Sequence, residues 1–200
     1  AAYTAVDKAE SDATMAQKIN VTGVEYLANA CQKTDAVLFH ISTDFVFDGN
    51  ATAPIDVDAP VSPISVYGQT KAEGEYRALS LNKKTILIRT SWVYSFFGNN
   101  FVKTMIRLGK EKAELGVVDD QVGCPTYAAD LAEAVMQIIS SEKFTPGIYN
   151  YSNEGIISWY EFATAIKNST GSNCLVNAIR TSDYPTPAKR PHYSVLDTQK

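Results

Sequence analysis

Several features are scarce in this 200-residue sequence, and each scarcity excludes a class of protein. No apolar run approaches the roughly 20 residues a helix needs to cross a bilayer. The opening Ala1-Ala2-Tyr3-Thr4 also lacks the basic-then-apolar layout of a secretory signal, so a cytoplasmic protein with no membrane partner is expected. The three cysteines, Cys31, Cys124 and Cys174, are odd in number and widely separated without C-x-x-C spacing, which argues against a disulfide framework and a zinc site. They read as small hydrophobes, and no metal ligand is assigned. Positive charge is short: 18 Lys+Arg against 22 Asp+Glu give a net −4, which disfavours a nucleic-acid surface built on phosphate neutralisation. Of the two histidines, His40 lies in an apolar run and His192 in a proline-rich tail, and neither has the partner pattern of a catalytic base. None of the 11 glycines falls into G-x-G-x-x-G or G-x-x-G-x-x-G, the turn that seats a dinucleotide pyrophosphate at a helix N-terminus. Either no dinucleotide is bound, or that unit lies outside these residues.

What is present, 45% hydrophobic and 20% charged residues, is the balance of a folded globular chain with a sizeable core. Ala13, Ala16, Ile19, Val24, Leu27 and Ala28 recur at spacings of three and four, which predicts a helix over 10–33. The β-rich run 36–42 reads as a strand buried on both faces, followed by a Pro-punctuated loop. A helix over 66–81 and a second buried strand over 85–90 repeat this α-then-β order. Further on, an amphipathic helix carries Phe101, Met105, Ile106 and Leu108, and a strand is expected at 115–118, a helix at 128–141 and a strand at 147–151. Ser158 and Glu161 fit a capping box that opens a helix with Trp159, Phe162, Ala163 and Ile166 turned inward. The tail 183–200, with Pro185, Pro187 and Pro191, should be irregular. The expected fold class is α/β. Residues 1–98 form the remainder, the C-terminal part, of a doubly wound parallel sheet, and 99–200 form mainly a smaller α+β part, with some elements returning to the sheet.

Two patterns carry chemistry. Ser42-Thr43-Asp44 ends a buried strand, and in open α/β sheets ligands bind beyond the carboxyl ends of strands; the same residues also suit an ordinary turn. Tyr67 and Lys71 lie four apart, one above the other on a helical face. A cation beside a phenol lowers its pKa toward working pH, as acid/base work requires, although the pair also suits a solvated face.

Taken in order, the blocks AAYTAVDKAE (1–10), STDFVFDG (42–49), VYGQTKAEGE (66–75), RTSWVY (89–94), NNFVKTM (99–105), DDQVGCPT (119–126) and YPTPAKRPHYSVLDT (184–198) cover essentially the whole chain. They resemble the dTDP-4-dehydrorhamnose reductase family of the extended short-chain dehydrogenase/reductases. That resemblance implies an NAD(P)-binding Rossmann sheet with a substrate-binding part, and reduction of the C4 keto group of a dTDP-4-keto-6-deoxy sugar by NADPH or NADH. It also implies roles residue by residue. Tyr67 would donate the proton, Lys71 would lower the Tyr67 pKa and hold the nicotinamide ribose, and Thr43 would hydrogen-bond the reacting oxygen. Ala2, Tyr3 and Thr4 would pass along the cofactor, Val6 would border the sugar, Asp44 and Trp92 would hold it, and Arg190 would steady the nucleotide phosphates. Some members of the family hold Mg²⁺ at a homodimer interface, with no ligand assigned here.

The family's Gly-rich N-terminal unit and a C-terminal segment have no counterpart among these residues, so the chain is expected to be a fragment, inactive and prone to associate on its own. Two alternatives are weighed. Related nucleotide-sugar dehydratases and epimerases share Thr and Tyr-x-x-x-Lys, but dehydratases place Glu directly after Thr-Asp, where this chain has Phe45. A non-catalytic regulatory subunit of methionine adenosyltransferase carries a degenerate site, whereas Tyr67 and Lys71 are both present.

Overall fold

Six consecutive buried residues, Thr85–Thr90, make the middle strand of the principal sheet. The computed structural model describes residues 2–200. The elements run α1 (Val6–Ala9), α2 (Ala13–Gln17), a π-helical turn (Lys18–Thr22), α3 (Gly23–Lys33), β1 (Leu38–Thr43), α4 (Val66–Leu81), β2 (Thr85–Thr90) and β3 (Val93–Tyr94). They continue with α5 (Phe101–Glu111), β4 (Glu114–Val118), β5 (Val122–Gly123), β6 (Thr126–Tyr127), α6 (Ala128–Ser140), β7 (Gly147–Asn150), β8 (Ile157–Ser158), α7 (Trp159–Thr170) and β9 (Leu175–Ile179).

The sheet has the order β1-β2-β7, all parallel, with Leu38 opposite Thr85 and Ile86 opposite Gly147. Side chains of a strand alternate between faces, and both faces of β2 are covered. Ile86 and Ile88 pack on Leu131 of α6. On the other side Thr85 donates its hydroxyl proton to the Ala78 carbonyl, and Arg89 reaches Glu75, both on α4. Each fully buried aliphatic of this strand contributes about 1.5–3 kcal/mol. α4 starts where Ser65 accepts the Gly68 N–H at 3.2 Å. It ends where Asn82 turns its amide to the Ala36 carbonyl at 3.1 Å. β7 returns from the second half of the chain to complete the sheet. The second layer is built from the parallel pair β4 and β9 with α5 and α7 against it.

The sequence reading leaves the two-residue strands β3, β5, β6 and β8 unread, and it differs from this structure in three larger respects. The first helix begins at Ala13, not residue 10, and a π-turn interrupts it; Val6–Ala9 is a separate turn of helix. β1 is not buried on both faces, since Ile41 is 39% exposed, and it pairs with β2 along one edge only. β9 went unread because Asn177 interrupts its apolar residues and its burial is shallow. The tail is irregular as expected, yet it is tied down: Leu196 bridges to Ile55, and Asn150 Nδ2 donates to the carbonyls of both Ile55 and Asp197. Among the described residues no helix is long and apolar enough to cross a membrane.

Candidate active site

The carboxyl end of β1 and the first turns of α4 converge on one spot. Thr43 closes β1, and a 3₁₀ turn, Asp44–Val46, follows it. The Thr43 hydroxyl accepts the Phe45 N–H at 3.2 Å and donates to Asp44 Oδ1 at 2.9 Å. Tyr67 sits in the first turn of α4, its phenol beside Thr43 and its ring edge-on to Phe45 at 5.5 Å. Ala9 and Ala16 close over the ring, with Tyr3 and Val6 at the margin of the same cluster. Close approach of α4 to the Asp44–Val46 turn depends on Gly68, where a Cβ would lie 2.2 Å from the Phe45 carbonyl oxygen. One turn on, buried Lys71 donates from Nζ to the Ile41 carbonyl at 2.7 Å.

This geometry corrects one expectation. Lys71 does not lower the Tyr67 pKa here, because its ammonium is drawn to the Ile41 carbonyl. Burial pushes the phenol up to about 12; Thr43 pulls against that shift and the Asp44 carboxylate adds to it. Lys71 itself is pulled down to about 8 by burial, countered by the Glu75 carboxylate one turn further along α4. Asp44, 2% exposed, is raised to about 6 by burial, against its contacts with Thr43 and Ser194. Its Oδ2 has no hydrogen-bond partner, since the facing Ser194 hydroxyl is turned to the Val122 carbonyl at 3.4 Å. His40, beneath Lys71, falls to about 4 through burial and the nearby ammonium. The cluster therefore presents a neutral phenol, an ammonium close to its titration point and a carboxylate with a free lone pair.

Two supports were not legible in the sequence. Arg89 of β2 grips Glu75 through Nε at 3.1 Å and Nη2 at 2.8 Å, donates from Nη1 to the Val57 carbonyl at 2.9 Å, and lies 5.0 Å from the Phe47 ring centre. Asn20, in the π-turn, brackets the backbone of Tyr3: its Oδ1 accepts the Tyr3 N–H at 2.8 Å and its Nδ2 donates to the Tyr3 carbonyl at 3.1 Å. Nδ2 also reaches Thr70 Oγ1 on α4, so Asn20 fixes the segment carrying Ala2, Tyr3 and Thr4 to the helix that carries Tyr67. An inserted helical residue is a common means of aiming a side chain at a site.

The remaining expected residues lie farther out. Trp92 takes a left-handed backbone, φ 47°, and its indole stacks on Trp159 at 3.6 Å. It meets the cluster through Ser194, since a Cβ on Gly123 would lie 2.6 Å from Trp92 Cε2 and 2.9 Å from Ser194 Oγ. Arg190 is held by Asp7 in a two-pronged ion pair, Nη2 to Oδ2 at 2.7 Å and Nη1 to Oδ1 at 3.0 Å, which keeps the Asp7 carboxyl below its usual range. Arg190 also lines a cavity of about 630 Å³ whose walls come from α5, β4, Trp159, Ile179, Tyr184 and Thr186. Among the described residues no cluster of three or more His, Cys, Asp or Glu is placed to hold a metal, so the expected Mg²⁺ has no ligand set within one chain.

A parallel α/β sheet whose strand end meets a helix-borne Tyr-x-x-x-Lys, beside a cavity in a second layer, defines a chain of the short-chain dehydrogenase/reductase class. Comparison with known proteins narrows this. The model of the RmlD substrate binding domain matches residues 1–200, and the chain belongs to that family. It is similar to the dTDP-4-dehydrorhamnose reductase of Aggregatibacter actinomycetemcomitans, 47% identical over 210 residues that cover 100% of this chain and 71% of the relative. Among solved structures, a dTDP-4-dehydrorhamnose reductase from Clostridium acetobutylicum superposes with a TM-score of 0.95 at 48% identity, covering 98% of this chain and 69% of the other. One from Bacillus anthracis, solved in complex with NADP, gives 0.95 at 42% identity, covering 99% and 70%.

Proposed function

We propose that this chain supplies the catalytic tyrosine and the sugar-nucleotide site of an enzyme that reduces dTDP-4-dehydro-6-deoxy-L-mannose to dTDP-L-rhamnose with NADPH in the cytoplasm. The observation that carries the reading is the buried, neutral Tyr67 flanked by Thr43 and, one turn away, Lys71. A reduction needs a phenol that still holds its proton, and a pKa of about 12 ensures that it does. The relatives' printed names and the NADP in the Bacillus anthracis structure support the choice of substrate and cofactor.

The residues present fit a dihydronicotinamide nucleotide beside Tyr67. Lys71 spends one of its three ammonium protons on the Ile41 carbonyl and keeps two for ribose hydroxyls, and exposed Ala2 and Thr4 flank a Tyr3 backbone fixed by Asn20. When bound, that group supplies the hydride. The residues of this chain do the rest. Tyr67 donates to the C4 carbonyl oxygen, Thr43 joins it by turning its hydroxyl proton away from Asp44 Oδ1, and as negative charge develops there Tyr67 gives up its proton to it. Water then reprotonates the phenolate, while Lys71, four residues along the same helix face, holds the ribose beside it.

Asp44 Oδ2, lacking a partner, is available to accept a sugar hydroxyl, and Val6 and Trp92 offer apolar surface to the deoxy ring. The 630 Å³ cavity has room for the nucleotide, with Arg190 at its wall for the phosphates, so residues 99–200 would carry most of the substrate site and 1–98 most of the cofactor side. Phe45 follows Thr-Asp where elimination would need an acid, which favours plain reduction over dehydration. The test is NADPH oxidation with the 4-keto sugar by the protein as its gene encodes it. Tyr67→Phe should lose activity by about 10²–10⁴-fold while still binding dTDP. Undiminished turnover in that variant would refute the assignment.

A further inference from the structure

Trp92 and Trp159 are the only two tryptophans of the chain, 67 positions apart, and their indoles lie face to face at 3.6 Å and 10°. Trp92 adopts a left-handed backbone that a bulky L-residue seldom takes, so something must hold it there. Two features do. On one side Gly123 leaves the space the indole fills: any Cβ there would come within 2.6 Å of Cε2 and 2.8 Å of Nε1. On the other side Trp159 stacks on it and is itself fixed by Phe101, 4.6 Å between ring centres, and by the capping box that starts α7 at Ser158. Ser158 adds a hydrogen bond to Asp119 at 2.7 Å, which anchors that helix start to the end of β4. Trp159 also forms part of the wall of the 630 Å³ cavity, whereas Trp92 faces Gly123 and Ser194 next to Asp44. The stack thus links the cavity wall, through Trp159, to the surroundings of the Thr43–Asp44–Tyr67 cluster, through Trp92 and Ser194.

We infer that Trp159 and Gly123 are positioning residues that set the Trp92 indole against the sugar ring, and so decide which sugar is accepted without touching it at the reacting carbon. This inference rests on the proposed reading of the site as one for a dTDP sugar. A stacked aromatic pair is lost on truncation of either ring, and a Cβ at Gly123 must displace the indole; either change should reach the sugar through Trp92, and the Gly123 change does so without removing a residue of the cavity wall.

The test is calorimetric titration of the protein as its gene encodes it with dTDP and with dTDP-L-rhamnose, so that the sugar's share is the ratio of the two Kd values. Gly123→Ala should weaken dTDP-L-rhamnose by about five- to tenfold and dTDP by less than twofold; Trp159→Ala, which also opens the cavity wall, should weaken both but dTDP-L-rhamnose by about five- to tenfold more. Trp159→Phe, which can still stack, should restore most of the ratio. Near-UV circular dichroism of the unliganded proteins gives a second readout: the paired-indole signal should vanish in Trp159→Phe, which lacks one indole, and collapse in Gly123→Ala, which retains both. Equal weakening of both ligands would show a merely structural role and overturn the inference, as would an unchanged ratio in Trp159→Ala. If wild type binds neither ligand, the reading of the site itself fails, and the circular dichroism arm still decides whether Gly123 sets the indole. Should Gly123→Ala not fold, the two Trp159 variants carry the test.

Discussion

Glu75→Ala should be among the most damaging single changes in the molecule. Glu75 is 4% exposed and Arg89 is 2% exposed, and among the described residues theirs is the one fully buried ion pair, tying α4 to β2. Removing the carboxylate leaves the guanidinium with the Val57 carbonyl and the Phe47 ring, but with no counter-charge and no path to water. Breaking a buried pair from one side costs about 3–5 kcal/mol. For a chain of this size each kcal/mol lowers the melting temperature by roughly 2–4 °C, so a fall of about 6–20 °C is expected. The companion Glu75→Leu with Arg89→Met replaces both charges by apolar groups and should recover most of the loss, because the desolvation cost of the pair disappears with it. Lys71, deprived of the carboxylate that favours its charged form, should titrate below about 8 in either variant. Thermal and urea unfolding of wild type, single and double variants decide the matter. A loss below about 1 kcal/mol in Glu75→Ala, or a double variant no better than the single, would refute the reasoning.

Further outcomes follow from the same structure. Asp44 titrates near 6 when folded against 3.8 unfolded, so the folded state binds the extra proton between these values and stability falls as pH rises through that window. His40, near 4 folded against 6.5 unfolded, has the opposite sign, and stability rises with pH across its window. The two contributions oppose each other, so Asp44→Asn, which removes one of them, should steepen the loss of stability on acidification from 6.5 to 4. Urea titrations of the two proteins at matched pH would contradict this if their slopes were equal. Asn20→Ala should free the Tyr3 amide, which hydrogen exchange would register as at least tenfold faster exchange with little change across β2. Ser158→Ala removes both the α7 cap and the bond to Asp119 and should cost about 1–2 kcal/mol by thermal melt; a neutral result would remove Ser158 from the anchoring of Trp159.

What the sequence disclosed depended on how local the signal was. α4 and β2 were legible to the residue because a capping serine, an apolar run and a short polar connection lie within one stretch of chain. Tyr67 and Lys71 were legible as a pair, since a spacing of four places them on one helix face whatever surrounds it. Where the Lys71 ammonium points was not, because the Ile41 carbonyl that claims it lies 30 residues away. The same limit hid the grip of Arg89 on Glu75, the bracket of Asn20 on Tyr3 and the stack of Trp159 on Trp92, each formed by side chains with ordinary local roles as a helix face, a strand end or a core aromatic. Arg190 stood out in the sequence as a basic residue of the tail, whereas its ion-pair partner Asp7, 183 residues away, could not be read from local spacing.

The central claim is that this chain provides the proton, from Tyr67, for reduction at C4 of a dTDP-linked keto sugar. The most direct measurement supplies NADPH deuterated at its transferable position together with dTDP-4-dehydro-6-deoxy-L-mannose to the protein as its gene encodes it, and weighs the product. A dTDP-L-rhamnose heavier by one mass unit, with the label at C4 and no such product from Tyr67→Phe, is the predicted result. An unlabelled product, a product lighter by the elements of water, or equal yield from the phenylalanine variant would contradict it.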